Sequence, residues 1–180
     1  IDDALGRGRV IGLVQPRERT IEPVPDDAVL YDVGTVGRIV SFHDPDGGRY
    51  HLTLQGISRF RTVKELPFEP TRGYRQVEAD FAPFTADLTI GNHNDDPGRE
   101  RILELMRGYF SSKGIDADWD AVAQASFDSL VASLTMTCPF EPGEKQALLE
   151  CQSHAQRAKM LISLFEMSMT SGSPPNSLAH

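Results

Sequence analysis

Two cysteines in 180 residues, Cys138 and Cys151, are too few and too far apart for a disulfide framework, and neither belongs to a CxxC pair. Both read as reduced, small, mostly buried residues of a cytoplasmic protein. No apolar run approaches the roughly 20 residues that span a bilayer, so no membrane partner is expected. No secretory signal is visible, although the chain opens at Ile1 without a methionine. Positive charge is scarce: 18 Lys and Arg stand against 26 Asp and Glu, a net charge of -8. Binding through phosphates needs a basic face that releases counterions, so no nucleic-acid partner is expected.

Enzymatic signatures are missing as well. There is no GxxxxGK[ST] loop to cradle phosphates, no GxGxxG after a strand, no GxSxG elbow and no HExxH helix. "GRGRVIG" carries glycines, but it precedes a strand where a dinucleotide fingerprint follows one. His93 with Asp95 and Asp96 in "GNHNDD" is the one cluster that suggests a metal. It lacks a ligand spacing and Asp96 serves as a helix cap, so no metal or cofactor is expected. His51, on the polar face of its strand, reads as a solvated side chain and not as a base. The four lysines, Lys64, Lys113, Lys145 and Lys159, fall at positions expected to be solvated. The expectation is a protein that is not an enzyme.

What is present is ordinary for a globular chain: 39% hydrophobic and 24% charged residues argue against disorder and against a fibrous class. The patterning changes near Asn92 to Asp96. Before it apolar residues recur at period two, after it at helical spacing. Strands first and helices second make an α+β architecture, because no helix separates one strand from the next. The expected lobes are 1–92, rich in strands, and 93–170, helical, with a disordered tail over 171–180.

In the first lobe a short helix end at Ile1 to Leu5 precedes a strand over Val10 to Val14 that Pro16 ends, and Arg17 to Asp27 reads as a loop. Further strands are expected at Thr35 to Phe42, Arg49 to Gln55, Arg59 to Glu65 and Tyr74 to Phe81. Pro45 and Gly47-Gly48 suit the hairpin loop between the first two. Tyr50, Leu52, Leu54 and Phe60 are expected in a core, with a bulge or bend at Gly56. Arg59 and Arg61 could clamp an anion, but an outward strand face with Phe60 inward is the favoured reading.

In the second lobe Asp96-Pro97 opens a helix with Ile102, Leu103, Met106, Tyr109 and Phe110 as its apolar stripe, ended by Gly114. Asp118 caps a helix running to about Met136, with Trp119, Val122, Leu130, Val131 and Leu134 inward, and Pro139 stops it. Pro142 opens a short helix through Leu148 and Leu149. Ser153 with Gln156 caps a last helix burying Ala158, Leu161, Ile162, Phe165 and Met169.

Four runs in order, "GRVIGLVQP", "LYDVGTVGRIVSFHDPDGGRYHLTLQGISRFRTVKEL", "YRQVEADFAPFTADL" and "TCPFEPGEKQALLECQSHAQRAKML", resemble the N-terminal substrate-binding domain of the Lon family of ATP-dependent proteases. More narrowly, they resemble stand-alone bacterial proteins made of that domain. The specific parts are VGxxGRI (Val33 to Ile39), GxxRFR (Gly56 to Arg61) and EKQALLE (Glu144 to Glu150). The resemblance implies a PUA-like antiparallel β pseudobarrel packed on a helical bundle. It also implies recognition of protein substrates without the ATPase and peptidase, for which 180 residues leave no room. Members usually begin with a further strand and most of a helix ahead of the position of Ile1, with an "FEPRY"-like run. Without them one edge of the pseudobarrel would lie open.

The expected partners are therefore unfolded or partly folded protein segments, with a protease as a possible second partner. Phe81, Phe84, Met136 and Phe140 flank the lobe boundary and are candidates for the binding surface, with Arg59 and Arg61, although inter-lobe core is the favoured reading of the four apolar residues. The alternative is a PUA-like protein that binds a small molecule or RNA, against which the acidic balance counts.

Overall fold

The computed structural model describes residues 1–18, 24–44, 51–89 and 98–171. The chain divides into two compact units, Ile1–Ile90 and Gly91–His180. The hairpin loop with Gly47 and Gly48, Tyr50, the His93 cluster, the Asp96-Pro97 cap and the tail from 172 onward lie outside the described residues, as does 19–23 of the expected loop.

The first unit opens with helix α1 (Asp2–Gly6) and continues as strands β1 (Val10–Leu13), β2 (Val33–His43), β3 (His51–Glu65) and β4 (Val77–Asp80). They form one antiparallel sheet in the order β1-β2-β3-β4, so each strand pairs with its neighbour in the chain. The strands expected before and after Gly56 are one continuous strand. A bulge, not a break, separates them: Gly37 faces Gly56 and Val36 faces Ser58, which leaves Ile57 as an extra residue in β3. Similar irregularities leave Val40 and Val63 without a partner in the register, and both are exposed.

The Ile57 bulge decides which face each later residue takes. Leu54 pairs with Ile39, and with strict alternation along β2 that face continues through Gly37 to Thr35, whose partner is Arg59. Phe60 pairs with Gly34 and so lies on the opposite face. Arg59 is therefore not outward: it is 6% exposed, under the 3-10 segment Ala82–Leu88 that packs on β3. Both faces of the sheet are covered at this point, which explains the run of three buried residues, Ser58, Arg59 and Phe60. Arg61 is exposed as expected. Leu52 and Leu54 share a face but are only half-buried, because they belong to the part of the β2–β3 ladder where Val40 and Phe42 are exposed.

The second unit holds helices α2 (Gly98–Lys113), α3 (Trp119–Gln124), α4 (Phe127–Thr137), α5 (Pro142–Glu150) and α6 (His154–Ser171). Gly114, at φ +64, ends α2: its N–H donates to the Ser111 carbonyl, and that of Ile115 to Phe110 at 2.9 Å. This is a Schellman closure, which needs a left-handed residue where glycine carries no penalty. Asp118 caps α3 as expected, accepting from the N–H groups of Asp120 and Ala121. The helix expected to run on to Met136 instead divides. Ala125 and Ser126 are extended, and the Ser126 hydroxyl accepts from the Ser129 N–H to start α4 anew. Phe127, absent from the expected core, becomes fully buried as a result, while Trp119 is partly exposed with the Arg107 guanidinium over its ring at 5.3 Å.

The core of this unit gathers Ile102, Met106 and Tyr109 of α2, Phe127, Val131 and Leu134 of α4, Leu148 of α5, and Leu161 and Phe165 of α6. Tyr109 centres an aromatic group, with Phe165 at 5.0 Å and Phe140 at 6.0 Å between ring centroids. Met169 was expected on the buried face of α6, but it is exposed and Leu164 is buried in addition. Its thioether lies over Gly108, where a Cβ would meet the Met169 methyl at 3.0 Å. Glu141 and Glu144 form a capping box ahead of α5. Ser153 accepts from Gln156 N–H, and the Gln156 side chain reaches back to Gln152.

Candidate functional site

Within the first unit the concave face of the sheet opens into a cleft of about 900 Å³. Ile11, and the alternating set Val10, Gly12 and Val14 of β1 and the residue after it, line one wall. Alternate residues of β4 and the residue after it, Val77, Ala79 and Phe81, line another. Phe60 and Val36 belong to the lining from β3 and β2. Period-two alternation places each of these sets on one side of its strand. The packing confirms it: a Cβ on Gly12 would touch the Phe60 ring at 3.4 Å, and the Phe60 and Phe81 rings lie 6.0 Å apart.

Several apolar residues of this lining keep substantial contact with solvent. Phe81 is 43% exposed, and Val10, Val24, Phe68 and Tyr74 are exposed to a similar degree. The rim is polar. The Tyr74 hydroxyl donates to the Asp3 carboxylate at 2.7 Å, which ties α1 to the segment before β4. That hydrogen bond, aided by Arg7 and Arg72, holds the Asp3 carboxyl below its usual value. Arg72 bonds Glu69 at 2.6 Å, and Arg75 bonds both Glu65 and the Ala28 carbonyl.

Among the described residues of the lining there is no serine, cysteine, histidine or lysine. The cleft thus offers apolar area and a hydrogen-bonded rim, but none of the usual pairs of nucleophile and base. Among all the described residues no group of three or more His, Cys, Asp or Glu could hold a metal ion. None of the described helices is long and apolar enough to cross a membrane.

The six candidate residues have different surroundings. Phe81 lines the cleft, whereas Phe84 is buried against Arg59, whose guanidinium sits 4.5 Å from its ring centroid. Arg59 itself is engaged with Asp87 and does not line the cleft. Arg61 is exposed on β3. In the second unit Met136 is 71% exposed, while Phe140 is nearly buried in the helical core. Sequence reasoning missed Val10, Gly12, Val14, Phe68 and Tyr74. The alternation of Val10, Gly12 and Val14 was visible, but nothing in it says what the row faces.

A family model described as the ATP-dependent protease La (LON) substrate-binding domain matches residues 1–166. A Lon protease 2 of Myxococcus xanthus is 41% identical over 167 residues, covering 91% of this chain and 20% of its own length. A Lon protease of Desulfosudis oleivorans is 37% identical over 159 residues, covering 83% of this chain and 18% of its own. The chain therefore spans about a fifth of the length of these relatives. Two solved structures share the fold. The Lon N-terminal domain protein from Xanthomonas campestris superimposes with a TM-score of 0.52 at 18% identity, over 87% of this chain and 89% of that one. The N-terminal domain of the Mycobacterium avium complex Lon protease does so with 0.54 at 15% identity, over 88% and 90%. With an antiparallel sheet followed by helices, and a match that runs from the first residue through most of α6, the chain belongs to the Lon substrate-binding domain family.

Proposed function

We propose that the chain is a non-catalytic module that holds exposed apolar segments of unfolded or partly folded proteins, serving a protease as an adaptor. The observation that carries this reading is the cleft of about 900 Å³ whose apolar lining, Phe81 above all, stays in contact with solvent. Contiguous exposed apolar surface on a folded domain marks a place where another apolar surface is covered.

The test is fluorescence anisotropy with one labelled client in two states, reduced and unfolded α-lactalbumin and its native form. Binding of the unfolded form alone is expected, weakened by Phe81→Asp with an unchanged melting temperature. Equal binding of both forms, or full binding by a folded Phe81→Asp variant, overturns the reading. Two further arms address the remaining parts. Purified chain should hydrolyse neither ATP nor casein, and turnover abolished by a point change within it would refute the non-catalytic assignment. Adding the chain to a full-length Lon protease should speed degradation of the unfolded client, and no acceleration removes the adaptor role.

A further inference from the structure

Two of the chain's five histidines meet across the β2–β3 ladder. His43, the last residue of β2, stands directly opposite His51, the first of β3. Opposite residues of an antiparallel pair point to the same side of the sheet, with Cβ atoms about 4.5–5.5 Å apart. The neighbouring pair, Phe42 and Leu52, takes the other side, so the two imidazoles share a face with the hydroxyl pair Ser41 and Thr53. Both histidines are exposed, and their rings can turn without giving up core contacts. His154 differs: it is half-buried and engaged with Asp128, Nε2 to Oδ1 at 3.0 Å.

We infer that the imidazoles of His43 and His51 form a two-ligand site for a divalent transition-metal ion of the Zn²⁺ and Ni²⁺ kind, held on the polar face of the hairpin with water in its remaining positions. Metal–nitrogen bonds of about 2.0–2.1 Å at tetrahedral or square angles set the two nitrogens roughly 3 Å apart. Cβ atoms about 5 Å apart allow this with a slight convergence of the rings. The two histidines of a helical HExxH site start from a similar separation, about 5–6 Å. Imidazole selects Zn²⁺, Ni²⁺ and Cu²⁺ over Mg²⁺ and Ca²⁺, which prefer oxygen ligands. Among the described residues no third His, Cys, Asp or Glu joins the pair. The site is therefore an exchangeable one, unlike the three- and four-ligand sites of resident zinc.

The arrangement depends on register. A slip of one residue would send the two rings to opposite faces and destroy the site. Close to the pair the ladder is irregular, between Ile39 and Ser41, where Val40 has no partner in the register. An ion that bridges the strands binds only the native pairing, so it stabilises that pairing by mass action. Nothing in the spacing of His43 and His51 along the chain is a local metal motif; the register alone brings them together.

The experiment titrates the 180-residue chain, freed of metal by a chelator, with zinc chloride in a calorimeter, with magnesium chloride as the control, and follows the imidazole signals by NMR. Zn²⁺ should saturate at about one ion per chain and shift the signals of His43 and His51 while the other histidines stay in place; Mg²⁺ should do neither. His43→Gln and His51→Gln should each weaken Zn²⁺ roughly tenfold or more, and the double variant should lose little beyond that, because a single imidazole cannot chelate. Saturating Zn²⁺ should raise the melting temperature of the parent and of none of the variants. Melts without metal check each variant's fold, and should one fail, the NMR titration of the unaltered chain decides.

Zn²⁺ that shifts His93, His154 or His180 instead is held elsewhere and overturns the inference. So do losses that add up between the two single variants, since these mark independent ligands, and so does a parent chain that binds no Zn²⁺. None of these outcomes touches the protein-binding reading of the cleft.

Discussion

The guanidinium of Arg59 holds the carboxylate of Asp87 through two hydrogen bonds, Nε to Oδ2 at 2.8 Å and Nη2 to Oδ1 at 2.7 Å, while the Arg59 backbone N–H adds a third to Oδ2 at 3.0 Å. The side chains are 8% and 20% exposed, so the pair clips the 3-10 segment onto β3 away from most water. Removing one partner strands a buried charge, and Asp87→Ala should cost about 3–5 kcal/mol. Arg59→Lys should also destabilise despite keeping the charge, because an ammonium cannot make the paired fork. Urea melts check both; an Asp87→Ala variant as stable as the parent would show that the clip is not needed.

Gly34 and Gly56 should respond differently to a methyl group. A Cβ on Gly34 would lie 2.6 Å from the Leu13 carbonyl oxygen and 2.9 Å from the Phe60 ring, whereas one on Gly56 would meet nothing within 4 Å. Gly34→Ala must therefore push β1 and Phe60 apart and should destabilise by about 1–3 kcal/mol. Gly56→Ala should melt within roughly 0.5 kcal/mol of the parent. Similar losses at both sites would mean that β1 is free to shift.

The two thiols should react at different rates. Burial pushes the Cys138 thiol up to about 11, with Lys145 opposing weakly, and its side chain is enclosed in the helical core. Cys151 is half-buried, its thiol donating to the Ala147 carbonyl. Only the thiolate alkylates, so at pH 8 iodoacetamide should modify Cys151 first and reach Cys138 only in denaturant. Peptide mapping by mass spectrometry reads the order, and early labelling of Cys138 contradicts the packing around it.

Acid should loosen the ladder between β3 and β4. The hydrogen bonds from Arg75, more than any other influence, hold the Glu65 carboxyl below its ordinary value of 4.5. A depressed carboxyl stabilises the fold fully above its unfolded-state value and loses that contribution as the pH falls through the lower folded-state one. Between about pH 5 and 3, stability should thus fall less steeply in Glu65→Gln than in the parent. Parallel slopes in melts across that window would show the Arg75 contact to be without weight.

Half-exposed Leu52 shows where sequence reasoning overreached. Alternation correctly put Leu52 and Leu54 on one face of a strand, because period two is a local property of extended backbone. How deeply that face is covered depends on what lies above it, and no local pattern contains that. Leu52→Ala should accordingly cost about 1–2 kcal/mol, less than full core burial would give.

The amino-acid sequence by itself determined the change from strands to helices, the Asp118 cap, the Gly114 stop and the family, since these rest on neighbouring residues or on runs read in order. It also marked the irregularity at Gly56. Only the tertiary structure decided its consequence: the single extra residue Ile57 moves Arg59 to the face that Asp87 covers and turns Phe60 toward the cleft. Asp87 is 28 residues away in the chain, and the rows Val10 to Val14 and Val77 to Phe81 become facing walls only once the sheet curls. Periodicity says which residues share a face; which faces meet is settled by the register and twist of the whole sheet.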